Sequence, residues 1–235
     1  LHTVPRRWSH RVFFNSLLVP AVVHHPGAVA MLNSCVNAMY IPHGQAPFAP
    51  CPDGRGHVAL MPGFISGSKG HEEILHAMNY SDGWDLEIIG DGDGKYLEWI
   101  NMAIARHGLR SRVKVFLGFQ VRELMRVQMG VYGCVVLNSI SDNYSASGIA
   151  ADCISAGAVT VSKAMPIYDS LHSLGFTFGH PAMPGSMPPD EIGKAIEAAL
   201  EWTHTPEQVA MMKLLCETRS WKNVAAERLR ILGAV

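Results

Sequence analysis

Two short stretches combine residue types and spacing suited to holding an anion. GFISGSKG (63–70) places small residues ahead of Lys69, at the expected start of a helix. Unpaired backbone N–H groups and the positive end of a helix dipole favour an anion there, and Lys69 would add a mobile cation. An ordinary turn with a solvated lysine fits the spacing equally well, and the Walker spacing GxxxxGK[ST] is absent. SASG (145–148) precedes a second helix. Ser145, Ala146 and Ser147 are small enough to let a phosphate approach the backbone, and Gly148 removes the last Cβ. Asp152 follows one turn later, on a helix crowded by Ala150, Ala151, Ile154 and Ala156. That crowding argues for a buried acid, which needs a partner. A carboxylate so placed accepts two hydroxyl hydrogen bonds, as from a ribose diol. The plainer alternative is a helix capped by Ser145 or Ser147, with Asp152 turned to solvent.

Other motifs point away from chemistry. GDGDGK (90–95) lacks the third glycine of a dinucleotide fingerprint. It reads better as a tight turn, with Asp91 and Asp93 complementing a helix dipole. The twelve histidines suggest metal, but none form HxxxH or HExxH pairs, and the adjacent His24 and His25 cannot face one ion. No GxSxG elbow marks an α/β-hydrolase.

The elements that must position these loops alternate in type. Apolar runs at 57–64, 85–90, 112–118, 132–138 and 158–162 read as strands, with a sixth at FTFG (176–179). Helical spacing covers Lys69 to about Asn79, 96–107, 121–130 and 147–156. A helical turn is expected at 167–174, and the C-terminus reads as three helices. Strands apolar throughout, alternating with helices, imply a parallel sheet covered on both faces, a doubly wound α/β domain with C-terminal helices. Ligands of such sheets bind outside the carboxyl ends of the strands, so the strand-to-helix loops carry the information.

The chain has 235 residues, 48% of them apolar, and a formal net charge of −1, which suits a globular domain and gives no electrostatic case for nucleic acid. Its five cysteines are scattered without a CxxC pair and read as reduced core thiols, favouring a reducing compartment. No run of about 18 apolar residues predicts a membrane span. The start at Leu1, without a signal peptide, reads as a point within a longer protein.

The order of YIPHG, GFISGSKGHEEILHA, DLEIIGDGDG, RVKVFLGF, SASGIAADCISAGAVTVSKAMPIYDSL and SWKNVAAERLRIL resembles the C-terminal half of a group 1 (family 4) retaining glycosyltransferase. The resemblance spans roughly residues 40–233. It implies the GT-B architecture, in which two Rossmann-like domains face a cleft and use a nucleotide-diphosphate-sugar donor without metal or further cofactor. Residues 1–45 would then be the last part of the N-terminal domain and the linker, and 46–235 the Rossmann-like donor-binding domain. By the same resemblance Lys69 would neutralise the donor diphosphate, Ser147 and Gly148 would cradle the distal phosphate, and Asp152 would bind the ribose hydroxyls. Phe119 and Gln120 would lie near the base.

The chain also departs from the family. The arginine that precedes the lysine is replaced by Phe64 or Ile65, the first acid falls on Tyr144, and Asp142 is the nearest carboxylate to take its catalytic place beside Lys69. Expected partners are a nucleotide-sugar and a saccharide or other acceptor. The setting would be cytoplasmic, with any peripheral membrane contact made through the N-terminal domain. A non-catalytic nucleotide-sugar-binding module and an epimerase-like enzyme are the competing readings.

Overall fold

The computed structural model describes residues 21–23, 38–50, 56–140, 147–163, 168, 171, 174 and 187–231. Strands β1 (Ala21–Val23) and β2 (Ala38–Tyr40) form a separate parallel pair. Five strands make the main sheet: β3 (Val58–Pro62), β4 (Asp85–Gly90), β5 (Val113–Leu117), β6 (Cys134–Leu137) and β7 (Thr160–Ser162). Their order is β5-β4-β3-β6-β7 and every pairing is parallel. Helices α1 (His71–Ala77), α2 (Gly94–Arg106), α3 (Arg122–Val131) and α4 (Gly148–Ala156) intervene. Then α5 (Pro189–Leu200), α6 (Pro206–Thr218) and α7 (Trp221–Ile231) close the chain. This is the doubly wound, Rossmann-like domain with C-terminal helices that the alternation implied. The sixth strand expected at 176–179 and most of the turn at 167–174 lie outside the described residues, as do His24, His25, Cys35 and Cys51.

The period-2 geometry of a strand divides the apolar runs between two cores. Ala59, Met61, Leu86, Ile88 and Val136 face one side, where Ile74 and Leu75 of α1, Ile100 of α2 and Ile196 of α5 cover them. Leu60, Ile89, Val135 and Leu137 face the other, against Met129 of α3, Cys153 and Ile154 of α4, and Met212 of α6. Burying each large aliphatic side chain in this way stabilises by about 1.5–3 kcal/mol, before the entropy of ordering it.

Local signals set the helix ends. Asp93 accepts from Lys95 N at 2.9 Å and starts α2 at Gly94. Thr205 and Gln208 form a reciprocal capping box for α6, with Pro206 in the first turn. Gly157, at φ 63°, ends α4 in the left-handed conformation that glycine tolerates. Gln45 is held at the junction of α6 and α7: its N donates to Arg219 O at 2.8 Å, and it pairs with Ser220. No helix among the described residues is long and apolar enough to cross a membrane.

One expected element is corrected. Lys69 does not begin an α-helix; it ends a 3-10 turn, Gly67–Lys69, and Gly70 at φ 65° separates that turn from α1. A left-handed residue cannot continue a right-handed helix, so the periodicity from Lys69 onward is broken at its second position.

Candidate functional site

Because every strand of the sheet runs the same way, the loops after β3, β4, β5 and β6 all leave from one edge. Close backbone approaches knit them together. Gly63 adopts φ 108° and donates to Ile89 O at 2.9 Å, while Ile65 N donates to Asp91 O at 2.7 Å. A Cβ on Gly90 would lie 1.9 Å from Gly63 O, and one on Gly92 would lie 2.6 Å from Ile65 O. Gly90 and Gly92 of GDGDGK are therefore needed for packing against the β3 loop, which agrees with the tight-turn reading.

The Lys69 turn rests on the loop after β6. Ile140 N donates to Ser68 O at 2.9 Å, and Ser139 Oγ donates to the same oxygen at 3.3 Å. Asn138 Nδ2 donates to Gly70 O at 2.9 Å and to Glu73 Oε2 at 2.8 Å. Lys163 Nζ closes the cluster on Glu73 at 3.0 and 3.2 Å. Burial lowers the pKa of the Lys69 ammonium, because removing it from water disfavours the charged form. Next to it, His71 is buried and lowered from 6.5 to about 4, through burial foremost and the Lys69 charge in addition; a hydrogen bond with the Ser66 backbone opposes both. Tyr96 Oη lies 3.5 Å from His71 Nδ1. Lys69 thus stands half-buried on a support that is itself neutral.

The second cluster surrounds the start of α4. Ser147 caps the helix by accepting from Ala150 N at 3.2 Å, and Gly148 opens it. Asp152 is buried, 3% exposed, as its apolar neighbours required. Its two oxygens receive Arg122 Nε at 2.8 and 3.1 Å, and Arg126 Nη1 lies 3.5 Å from one of them. The Arg122 Cζ is 5.8 Å from the centre of the Trp221 ring. Trp221 also meets the His43 ring edge-on at 5.2 Å. A Cβ on Gly148 would have Arg122 Nη2 and His43 Nε2 as its nearest neighbours, both at 3.8 Å. Gly63 and Ile149 join the two clusters, since a Cβ on Gly63 would touch Ile149 Cδ1 at 3.7 Å.

Among the sequence candidates, Ser147, Gly148 and Asp152 share the second cluster, and Lys69 belongs to the first. Phe119 is 87% exposed and Gln120 is partly buried, in the loop between β5 and Arg122. Asp142, Tyr144, Ser145 and Ala146 lie outside the described residues. Sequence reasoning missed Arg122, Arg126, His43 and Trp221, as well as the Glu73–Asn138–Lys163 group. Only the demand of a buried acid for a cation could have signalled Arg122. Among the described residues, no group of three or more His, Cys, Asp or Glu side chains is arranged to hold a metal ion.

No protein-family profile and no curated protein matches this sequence. Solved structures do match its fold. HepE of Anabaena in complex with UDP aligns with a TM-score of 0.77 at 16% identity, over 100% of this chain and 71% of that one. Sucrose-phosphate synthase of Thermosynechococcus elongatus aligns at 0.74 and 17%, over 96% of this chain and 60% of its own. A glycosyltransferase from Rickettsia africae aligns at 0.73 and 12%, over 98% and 67%. These neighbours are GT-B glycosyltransferases, and this chain spans about two thirds of their length. At such identities the shared property is the fold.

Proposed function

We propose that this chain is the donor-binding domain of a retaining glycosyltransferase of the family 4 type. It would take a nucleotide-diphosphate-sugar as substrate and a saccharide or other acceptor, without a metal or cofactor. The observation that carries the reading is the convergence of the Lys69 turn, the α4 start at Ser147–Gly148 and the Phe119 loop on one edge of a parallel sheet. That edge is where open α/β sheets bind ligands.

Each residue then has a physical task. A retaining transfer develops negative charge on the departing diphosphate and positive charge on the sugar. Groups fixed where that charge appears lower the barrier without reorganising. Lys69, already partly desolvated, supplies a cation for the diphosphate. The amides of Gly148 and Ile149, which have no intrahelical acceptor at a helix start, would face the distal phosphate. Phe119 and Gln120 would receive the base. Asp142 is assigned to the sugar side, where the family carries its first acid. The N-terminal domain would supply most of the acceptor surface and any peripheral membrane contact. A cytoplasmic setting is supported by the buried free thiols Cys134, Cys153 and Cys216.

Calorimetric titration with UDP, GDP and ADP tests the proposal. One nucleotide should bind, and Lys69→Ala should weaken it about tenfold, the low end for losing a charge-assisted contact. A folded chain that binds none of the three has no donor site. A second reading, donor binding without transfer, is favoured by Phe64, which is 57% exposed in the loop where the family has an arginine. Transfer to a saccharide acceptor by a version joined to its N-terminal domain decides between them.

A further inference from the structure

The geometry points to Arg122 as the second cation of the donor site, with Asp152 as the residue that positions it. The inference rests on the donor-binding reading above. A bound nucleoside diphosphate carries between two and three negative charges, and the Lys69 turn offers one positive charge. The α4 dipole adds about half a charge. Arg122, Arg126 and the Asp152 carboxylate together leave one net positive charge beside the start of α4, and Arg122 is the more exposed of the two arginines. Its Nε is committed to the Asp152 carboxylate at 2.8 Å, and its Cζ lies 5.8 Å from the Trp221 ring centre, so the plane of the guanidinium is fixed from two sides. The remaining N–H groups are on the two Nη atoms. Neither makes a further hydrogen bond to a described residue, and Nη2 reaches the space beside Gly148.

Accessibility separates the two partners. The Arg122 side chain is 42% exposed and that of Asp152 only 5%, so the arginine lies between the acid and solvent. A ribose diol arriving from the cleft would meet the guanidinium before the carboxylate. Asp152 therefore acts on a ligand through Arg122. His43 borders the same space. Its Nδ1 lies 2.8 Å from Gly44 O, its ring edge is against Trp221, and its Nε2 lies 3.8 Å from the position of a Cβ on Gly148.

The test is titration of the whole chain with UDP, GDP and ADP and with the matching monophosphates, comparing wild type, Arg122→Gln, Asp152→Asn and the double variant. Arg122→Gln should weaken the bound diphosphate about tenfold and the monophosphate distinctly less. Asp152→Asn should weaken it to a similar degree, and the double variant should bind no more weakly than Arg122→Gln alone. Folding is not at risk in Arg122→Gln, because Asp152 keeps Arg126 at 3.5 Å, and thermal melts verify this. The inference fails if Arg122→Gln leaves the diphosphate within twofold of wild type. It fails equally if Asp152→Asn weakens binding further in the Arg122→Gln background, and does so alike for mono- and diphosphate. That pattern would make the acid a direct ribose ligand. Absence of all binding by wild type removes the donor site itself, whereas binding that responds to Lys69 but not to Arg122 removes this inference alone.

Discussion

Replacing Gly70 by alanine tests whether the Lys69 turn is held as described. Gly70 has φ 65°, and a Cβ there would lie 2.4 Å from Asn138 O and 2.5 Å from Asn138 Nδ2. The left-handed conformation costs a non-glycine residue about 1–2 kcal/mol. Relieving contacts with a strand-end backbone oxygen adds about 1–3 kcal/mol, as other overpacked sites do. Loss of the Asn138-to-Gly70 hydrogen bond adds about 1 kcal/mol. The sum is about 4 kcal/mol, which for a domain of this size lowers the melting midpoint by about 10 °C. Gly94→Ala is the matched control. Nothing lies within 4 Å of its Cβ position, and it begins α2, so the change should be neutral or stabilising by a few tenths of a kcal/mol. Urea unfolding of both variants measures the difference. A Gly70→Ala cost below about 1 kcal/mol would refute the account, because steric exclusion of this kind cannot be that small.

Two further perturbations separate support from contact. His71 is held neutral, with its pKa lowered to about 4, so the unfolded chain takes up a proton first as pH falls below 6.5. The stability His71 contributes is therefore complete above that pH and lost progressively between 6.5 and about 4, up to about 3 kcal/mol. His71→Gln should flatten the stability difference between pH 7 and 4.5, and an unchanged slope would assign the loss to other groups. Phe119 is almost fully exposed, so Phe119→Ala should leave the melting midpoint unaltered. If it stacks on the base, nucleotide affinity should fall by about 1–3 kcal/mol in the same calorimetric titration; unchanged affinity would place the base elsewhere.

Much of the fold was legible because its strands, apart from β5 at the sheet edge, are mostly buried on both faces. Runs such as CVVL and VALMP stay apolar without alternation, which only a covered parallel sheet requires. The candidate site was legible where local geometry dictates residue type. Ser147 caps α4, and Asp152 is buried because its helix is apolar. It was opaque where contacts are distant in sequence. Gly70 reads as one more helical residue until Asn138, 68 positions away, is found against it. Arg122 reads as a solvated first-turn arginine until Asp152, 30 positions on, takes its Nε.

The two cations illustrate what such distant contacts are for. A flexible arginine loses about 2 kcal/mol of rotamer entropy when immobilised, and a lysine loses a similar amount along with its hydration. At Arg122 the ordering is done during folding, by a carboxylate on one side and an indole on the other. At Lys69 the partial desolvation is likewise met in the folded protein, on a turn clamped to Ser139 and Ile140. In the proposed donor site neither cost would fall on the binding step, which is how preorganisation raises affinity without new contacts. The same reasoning explains why an acid is buried at position 152 at all. A well-packed apolar residue there would often be as stable as the ion pair, or more so. It would, however, leave Arg122 free to sample every rotamer. In the proposed donor site Asp152 would trade some stability for a fixed guanidinium, with the diphosphate as the group that guanidinium holds.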